Sequence, residues 1–166
     1  MRSDTPQVWD ERGTLTAMLD YVRETVRAKC EGLSEADARS APLPTSPLMS
    51  ISGLVSHVHW VEYFWFQVRF LGEEDLGPWT EEDPDREMHF ALDTPIGDLL
   101  DAYDAQSERY RTLVAETDLD ARSVGAISTG EHVTMRWIIL HLIEEIARHN
   151  GHIDLLRELA DGVTGD

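Results

Sequence analysis

The sequence predicts an all-α four-helix bundle with long crossover connections, on three observations. Four long stretches carry apolar residues at helical spacing, helix-starting or helix-stopping residues bound them, and few segments alternate as strands do. The first pattern runs from about Glu11 to Cys30, with Leu15, Met18, Leu19, Val22 and Val26 as its stripe and Gly32 beyond its end. Pro42, Pro44 and Pro47 then mark an extended connector. Ser50 or Ser52 can cap a second helix reaching about Leu71, where Gly72 stops it. From Glu73 to Asp93 the chain is acidic and contains Gly77, Pro78 and Pro84, which reads as a long ordered crossover with room for one short helix, pinned by Trp79 and Phe90. Thr94 and Pro95 form a cap and first-turn pair for a third helix to about Thr117, striped by Ile96, Leu99, Leu100, Tyr103, Tyr110, Leu113 and Val114. A polar linker with Gly125 and Gly130 leads to a fourth helix from near Thr134 to about Leu159. At 166 residues the length suits one domain spanning 1–166.

Charge removes whole classes of partner. The 32 acidic against 14 basic residues give a formal charge of −18, which argues against nucleic acid and anionic membranes, both of which are bound through positive charge. An anionic substrate would need local positive charge. Thirteen of the basic residues are arginine and the other is Lys29, a bias that fits a GC-rich bacterial genome. Cys30 is the single cysteine, so no intrachain disulfide forms and a reducing cytoplasm is the simplest home. The N-terminus lacks an apolar secretion signal, and no apolar run is long enough to span a membrane.

The segment from His141 to His152 carries the strongest functional signal. Glu145 and His149 stand one turn apart, while His141 and His152 fall within about 40° of Glu145 on the same side. Ile138, Leu142, Leu156 and Leu159 share that stripe, so four metal-capable groups point toward the core. Burial of such groups is costly without partners, and either a metal ion or a hydrogen-bonded cluster would compensate. In the second helix, Leu54, Val61, Phe64 and Val68 lie within about 60° of His57, whereas His59 points about 200° away, near Glu62 and Phe66. His57 is therefore the expected core-facing histidine. Bundle metal sites are built from such inward residues on neighbouring helices.

These residues also carry a family likeness. A histidine early in the second helix followed by Val61, Glu62, Tyr63, Phe64, Trp65 and Phe66, together with the run from Glu145 to Glu158, resembles the DinB-like superfamily over nearly the whole chain. The likeness is strongest to an actinobacterial branch lacking an assigned function and extends to mycothiol-dependent maleylpyruvate isomerases and thiol transferases. It implies a metal-binding four-helix bundle with a nonstandard helix order, commonly dimeric. Many members use one histidine on the second helix and two at i, i+4 on the fourth. Here Glu145 takes the earlier of that pair, which matches the isomerase branch and implies a His57, Glu145, His149 ligand set. His152 stands where other members often hold glutamine, leaving it as support for a ligand, a substrate contact or a substitute ligand. His141 joins the supporting groups.

Two imidazoles and a carboxylate leave a metal an open position, the mark of a catalytic rather than a structural zinc site. Zinc leads, with nickel or ferrous iron compatible. No protein nucleophile is evident near the motif, and the resemblance implies an external low-molecular-weight thiol, mycothiol given the compositional bias. The expected function is a metal-dependent thiol S-transferase or isomerase acting on a small electrophile; the alternative is a non-catalytic metal-binding or small-molecule-binding stress-response dimer. Glu62 and Arg148 read as solvated helix-face charges, and Glu144 as exposed or supporting a ligand. His89 and His132 read as loop residues, and the acidic stretch lacks the spacing of a calcium loop. Phe66 and Val55 lie opposite His57, and if exposed they would support a homodimer.

Overall fold

The computed structural model describes residues 2–165. Helix α1 spans Glu11–Lys29, α2 Glu35–Arg39, α3 Ile51–Tyr63, α4 Arg86–Phe90, α5 Ile96–Glu116 and α6 Met135–Asp161. The four long helices are the expected ones, α4 is the short helix for which the crossover had room, and α2 is a short addition. Side chains cap three of the long helices: Asp10 accepts from the Gly13 N–H, Ser50 from Gly53 and Thr134 from Trp137. Ser50, not Ser52, is thus the cap of α3; the Ser52 hydroxyl is buried without a partner. At α5 the expected Thr94 cap is not used. The helix begins at Ile96, whose N–H reaches the Glu35 carboxylate at 3.2 and 3.3 Å, so α2 supplies the cap across the fold.

Two local features escaped the periodicity. Helix α2 starts at Ser34, whose hydroxyl accepts from the Asp37 N–H at 3.1 Å, a Ser-x-x-Asp capping signal legible in the chain. The last turns of the second helix are π-helical over Phe64–Phe70, and Leu71 N–H donates to the Phe66 carbonyl, five residues back. Gly72, at φ 70°, then ends the helix.

Packing pairs α1 with α6 and sets α3 against α5, α4 and α6. Leu19, Val22 and Val26 of α1 meet a core that includes Val55, Val58 and Phe66 of the second helix, Tyr103 and Tyr110 of α5, and Ile138, Ile139, Leu142, Ile146 and Ile153 of α6. Trp79 anchors the acidic crossover as expected, standing 6.0 Å from Trp60 and 6.1 Å from Phe64 between ring centroids. Leu159, assigned to the buried stripe, is 62 % exposed, because it lies beyond the end of the covered face of α6. No helix among the described residues is long and apolar enough to cross a membrane.

Glu62 overturns its expectation most clearly. Its side chain is 0 % exposed, forms a bidentate pair with Arg23 of α1 at 2.9 and 2.8 Å, and accepts from the Tyr103 hydroxyl of α5 at 2.9 Å. Desolvation disfavours the buried Arg23 cation, but Glu62 outweighs it and raises the Arg23 pKa; burial, then Glu62, also raises that of Tyr103. The same rotation of α3 buries Val55 and Phe66 completely, so the ground for a second apolar face, and for a dimer built on it, is removed. His59, not His57, lies nearer the fully buried side; burial lowers its pKa against the opposing pull of Glu62.

Two outcomes test this core. Glu62→Ala leaves the Arg23 cation buried and unpaired, and should lower unfolding stability by about 3–5 kcal/mol in a denaturant titration. A double variant, Arg23→Met with Glu62→Leu, should recover much of that loss. Burial also pushes the Cys30 thiol up to about 12, with Arg157 and Arg27 opposing. Iodoacetamide at pH 8 should therefore label Cys30 only after denaturation.

Candidate metal centre

Four residues apart on α6, Glu145 and His149 project from consecutive turns of one face. Across from them, α3 contributes His57. Glu145 Oε1 lies 3.2 Å from His149 Nε2 and 3.6 Å from His57 Nε2, and the two imidazole rings meet nearly edge-on at 4.9 Å. Among the described residues these three form a group able to hold a metal ion, with one ligand atom of each lying within 4.8 Å of the others. Tetrahedral bonds of about 2.1 Å place neighbouring donors about 3.4 Å apart, so the observed separations fit such an ion with little movement. All three side chains are only partly buried, which leaves one side accessible.

Residues outside the expected set complete the arrangement. Glu87 of α4 is buried, and its Oε1 sits 3.2 Å from His57 Nδ1, the ring nitrogen turned away from Glu145. A carboxylate behind a ligating imidazole fixes its ring orientation and raises its basicity. The backbone carbonyl of Glu87 accepts from the Ser56 hydroxyl at 2.6 Å, which ties α4 to the helix bearing His57. Nothing in spacing announces Glu87, because it contacts a residue thirty positions earlier through the crossover. The cue available was a short amphipathic run, Arg86 to Phe90, following Pro84.

Electrostatics agree with the geometry. Burial alone would lower the His57 pKa, but hydrogen bonds and charge from Glu145 and Glu87 raise it to about 9. His149, then His57, hold the Glu145 carboxyl well below the usual carboxylate range. Without a metal, a proton on His57 supplies the positive charge between these carboxylates, and a divalent cation would take that proton's place at Nε2. His152 Nδ1 lies 3.4 Å from His149 Nδ1, behind the ligand atom, with its own pKa lowered by partial burial and by the neighbouring His149 and Arg148. That position sets His152 against the His149 ring nitrogen that faces away from Glu145. His141 stands apart, stacked on Trp137 at 4.9 Å and edge-on to Trp65 at 4.7 Å.

Arg148 pairs with Glu144 on the exposed face of α6, as expected of solvated charges. His89 bonds Asp83 at 2.9 Å in the crossover, and His132 lies against the Ser123 carbonyl at 2.8 Å in the linker. Cys30 caps α1 and takes no part in the cluster.

A conserved protein of a locus from Enterococcus faecalis has a similar crystal structure, with a TM-score of 0.67 at 15 % identity over 94 % of this chain and 100 % of that one. The likeness shows a shared all-α fold. Comparison with curated proteins finds no match. The family model described as mycothiol-S-transferase matches residues 14–162. Because that model covers nearly all of its length, this chain belongs to the mycothiol-S-transferase family, a DinB-like family.

Proposed function

We propose that the protein is a divalent-metal-dependent S-transferase that joins a low-molecular-weight thiol, mycothiol, to a small electrophile. The observation that carries this reading is the meeting of His57, Glu145 and His149 at 3.2–3.6 Å in a chain of this family. Two imidazoles and one carboxylate make a set of three ligands, suited to zinc first and to nickel or ferrous iron next. A metal held there favours the deprotonated, nucleophilic form of an entering thiol. Within the protein, Glu87 fixes the His57 ring through Nδ1, His152 backs His149, and Glu145 supplies the anionic donor between the two imidazoles. The sulfur must come from outside, since burial keeps the Cys30 thiol protonated. Transfer is favoured over isomerisation because the matching family is one of transferases.

Elemental analysis of the protein as purified tests the ligand set. About one divalent ion per chain is expected, His57→Ala and His149→Ala should each abolish it, and mycothiol should shift the visible spectrum of the cobalt-loaded form. A folded protein that takes up no metal, or a spectrum indifferent to the thiol, would sink the proposal. Glu87→Gln should keep the fold but weaken metal affinity roughly 10–100-fold, measured by competition with a chelator. Unchanged affinity would show that Glu87 does no more than pack α4.

A further inference from the structure

Beside His57 lies a half-open hollow of about 250 Å³, walled by Trp60, Phe64 and Trp65 of the second helix and by Trp79 and Glu87 of the crossover. Trp60 and Phe64 are one helical turn apart, and Trp79 stands nearly perpendicular to both, at 80° and 79°. Trp79 is held from outside the hollow: its indole N–H donates to Asp75 at 3.1 Å. Tyr63 fastens the same segment, donating to the Glu74 carbonyl at 3.1 Å and accepting from the Leu76 N–H at 2.9 Å. The structure thus commits two sets of hydrogen bonds to keeping an indole over a hollow that shares His57 with the candidate metal centre.

We propose that this hollow receives the electrophile, and that the electrophile is a neutral molecule bearing a flat aromatic ring. The proposal rests on the thiol-transfer reading for the word electrophile, and on the hollow itself for the ligand class. A cavity of roughly 150 Å³ lined by apolar side chains holds benzene, so about 250 Å³ holds one substituted ring or two fused rings. Walls of perpendicular aromatic rings favour another ring, which can stack offset on one wall and meet the next edge-on. Charge selects against anions, because Glu87 lines the hollow, the nearby Arg69 guanidinium is committed to the Ala126 carbonyl and the Phe64 face, and the whole chain carries −18. A cation is less well served: the Arg69 guanidinium already sits 4.5 Å from the Phe64 ring centre, and Glu87 is engaged with His57. His57 belongs both to the hollow and to the candidate metal-binding group, so a ring bound there lies against an imidazole that would hold the metal. With an aryl halide, the thiol sulfur bonds to the ring carbon, the halide leaves with the electron pair of the broken bond, and the thiol proton passes to solvent.

Titration calorimetry on the metal-loaded protein, with unreactive probes, tests the ligand class apart from turnover. The neutral 1,3-dinitrobenzene should bind, and the anion 3,5-dinitrobenzoate and the cation phenyltrimethylammonium should bind about tenfold more weakly or worse. Trp79→Ala should weaken the neutral probe about tenfold, Trp79→Phe should restore most of that, and Trp9→Ala, at an exposed position remote from the hollow, should change nothing. No binding, indifference to Trp79→Ala, or tighter binding of either charged probe would overturn the assignment. Turnover of 1-chloro-2,4-dinitrobenzene with mycothiol is then measured separately. Trp79-dependent binding without turnover supports the aromatic hollow and removes the thiol-transfer reading; turnover that ignores Trp79 does the reverse.

Discussion

Once the Glu62 carboxylate is taken wholly out of water, it must keep a cationic partner, and Arg23 of α1 and the Tyr103 hydroxyl of α5 satisfy it. That requirement fixes the rotation of α3. His57 lies five residues before Glu62, so it emerges about 140° around the helix, away from the fully buried side and toward α6 and α4. With Glu62 inward, Val55, Val58 and Phe66 fall into the core and His57 reaches the rim where Glu145 and His149 wait. A buried ion pair contributes little net stability against a well-packed apolar substitute, but it discriminates strongly between rotations, because any other leaves a charge unpaired.

Around that rim the site assembles from three separate elements. Helix α6 supplies a carboxylate and an imidazole at one-turn spacing, α3 supplies the facing imidazole, and α4 supplies the carboxylate behind it. The crossover that carries α4 also carries Trp79, so a segment rich in acidic residues and prolines delivers both the group orienting His57 and one wall of the adjoining hollow. Partial exposure of the cluster and full burial of Cys30 divide the chemistry cleanly. The candidate metal-binding group is accessible, and the chain's own thiol is not.

Much of this was legible before any coordinates. The long helices were readable because amphipathic periodicity persists over many turns, and Ser50, Thr134 and Gly72 punctuate them as their chemistry requires. Helix α2 was missed although Ser34 and Asp37 spell a capping signal, since five residues give no periodicity to detect. The cap of α5 could not be read locally, because the Ile96 N–H is satisfied by Glu35, sixty-one positions away. Reading α3 by its apolar neighbours misplaced its inner side: Val61, Phe64 and Val68 are only partly buried, while polar Glu62 is fully buried.

By itself, then, the sequence determined the helices and the i, i+4 pairing of Glu145 with His149, because helix geometry converts spacing into shared faces without outside help, whereas His57 was singled out by a reading of the core face of α3 that the fold did not keep. Tertiary structure alone decided that Glu62 is core, that Val55 and Phe66 offer no free face, that Glu87 stands behind His57 and that Trp79 closes a wall beside it. Those four depend on which elements meet across loops, where partner and desolvation, not periodicity, set where a side chain rests.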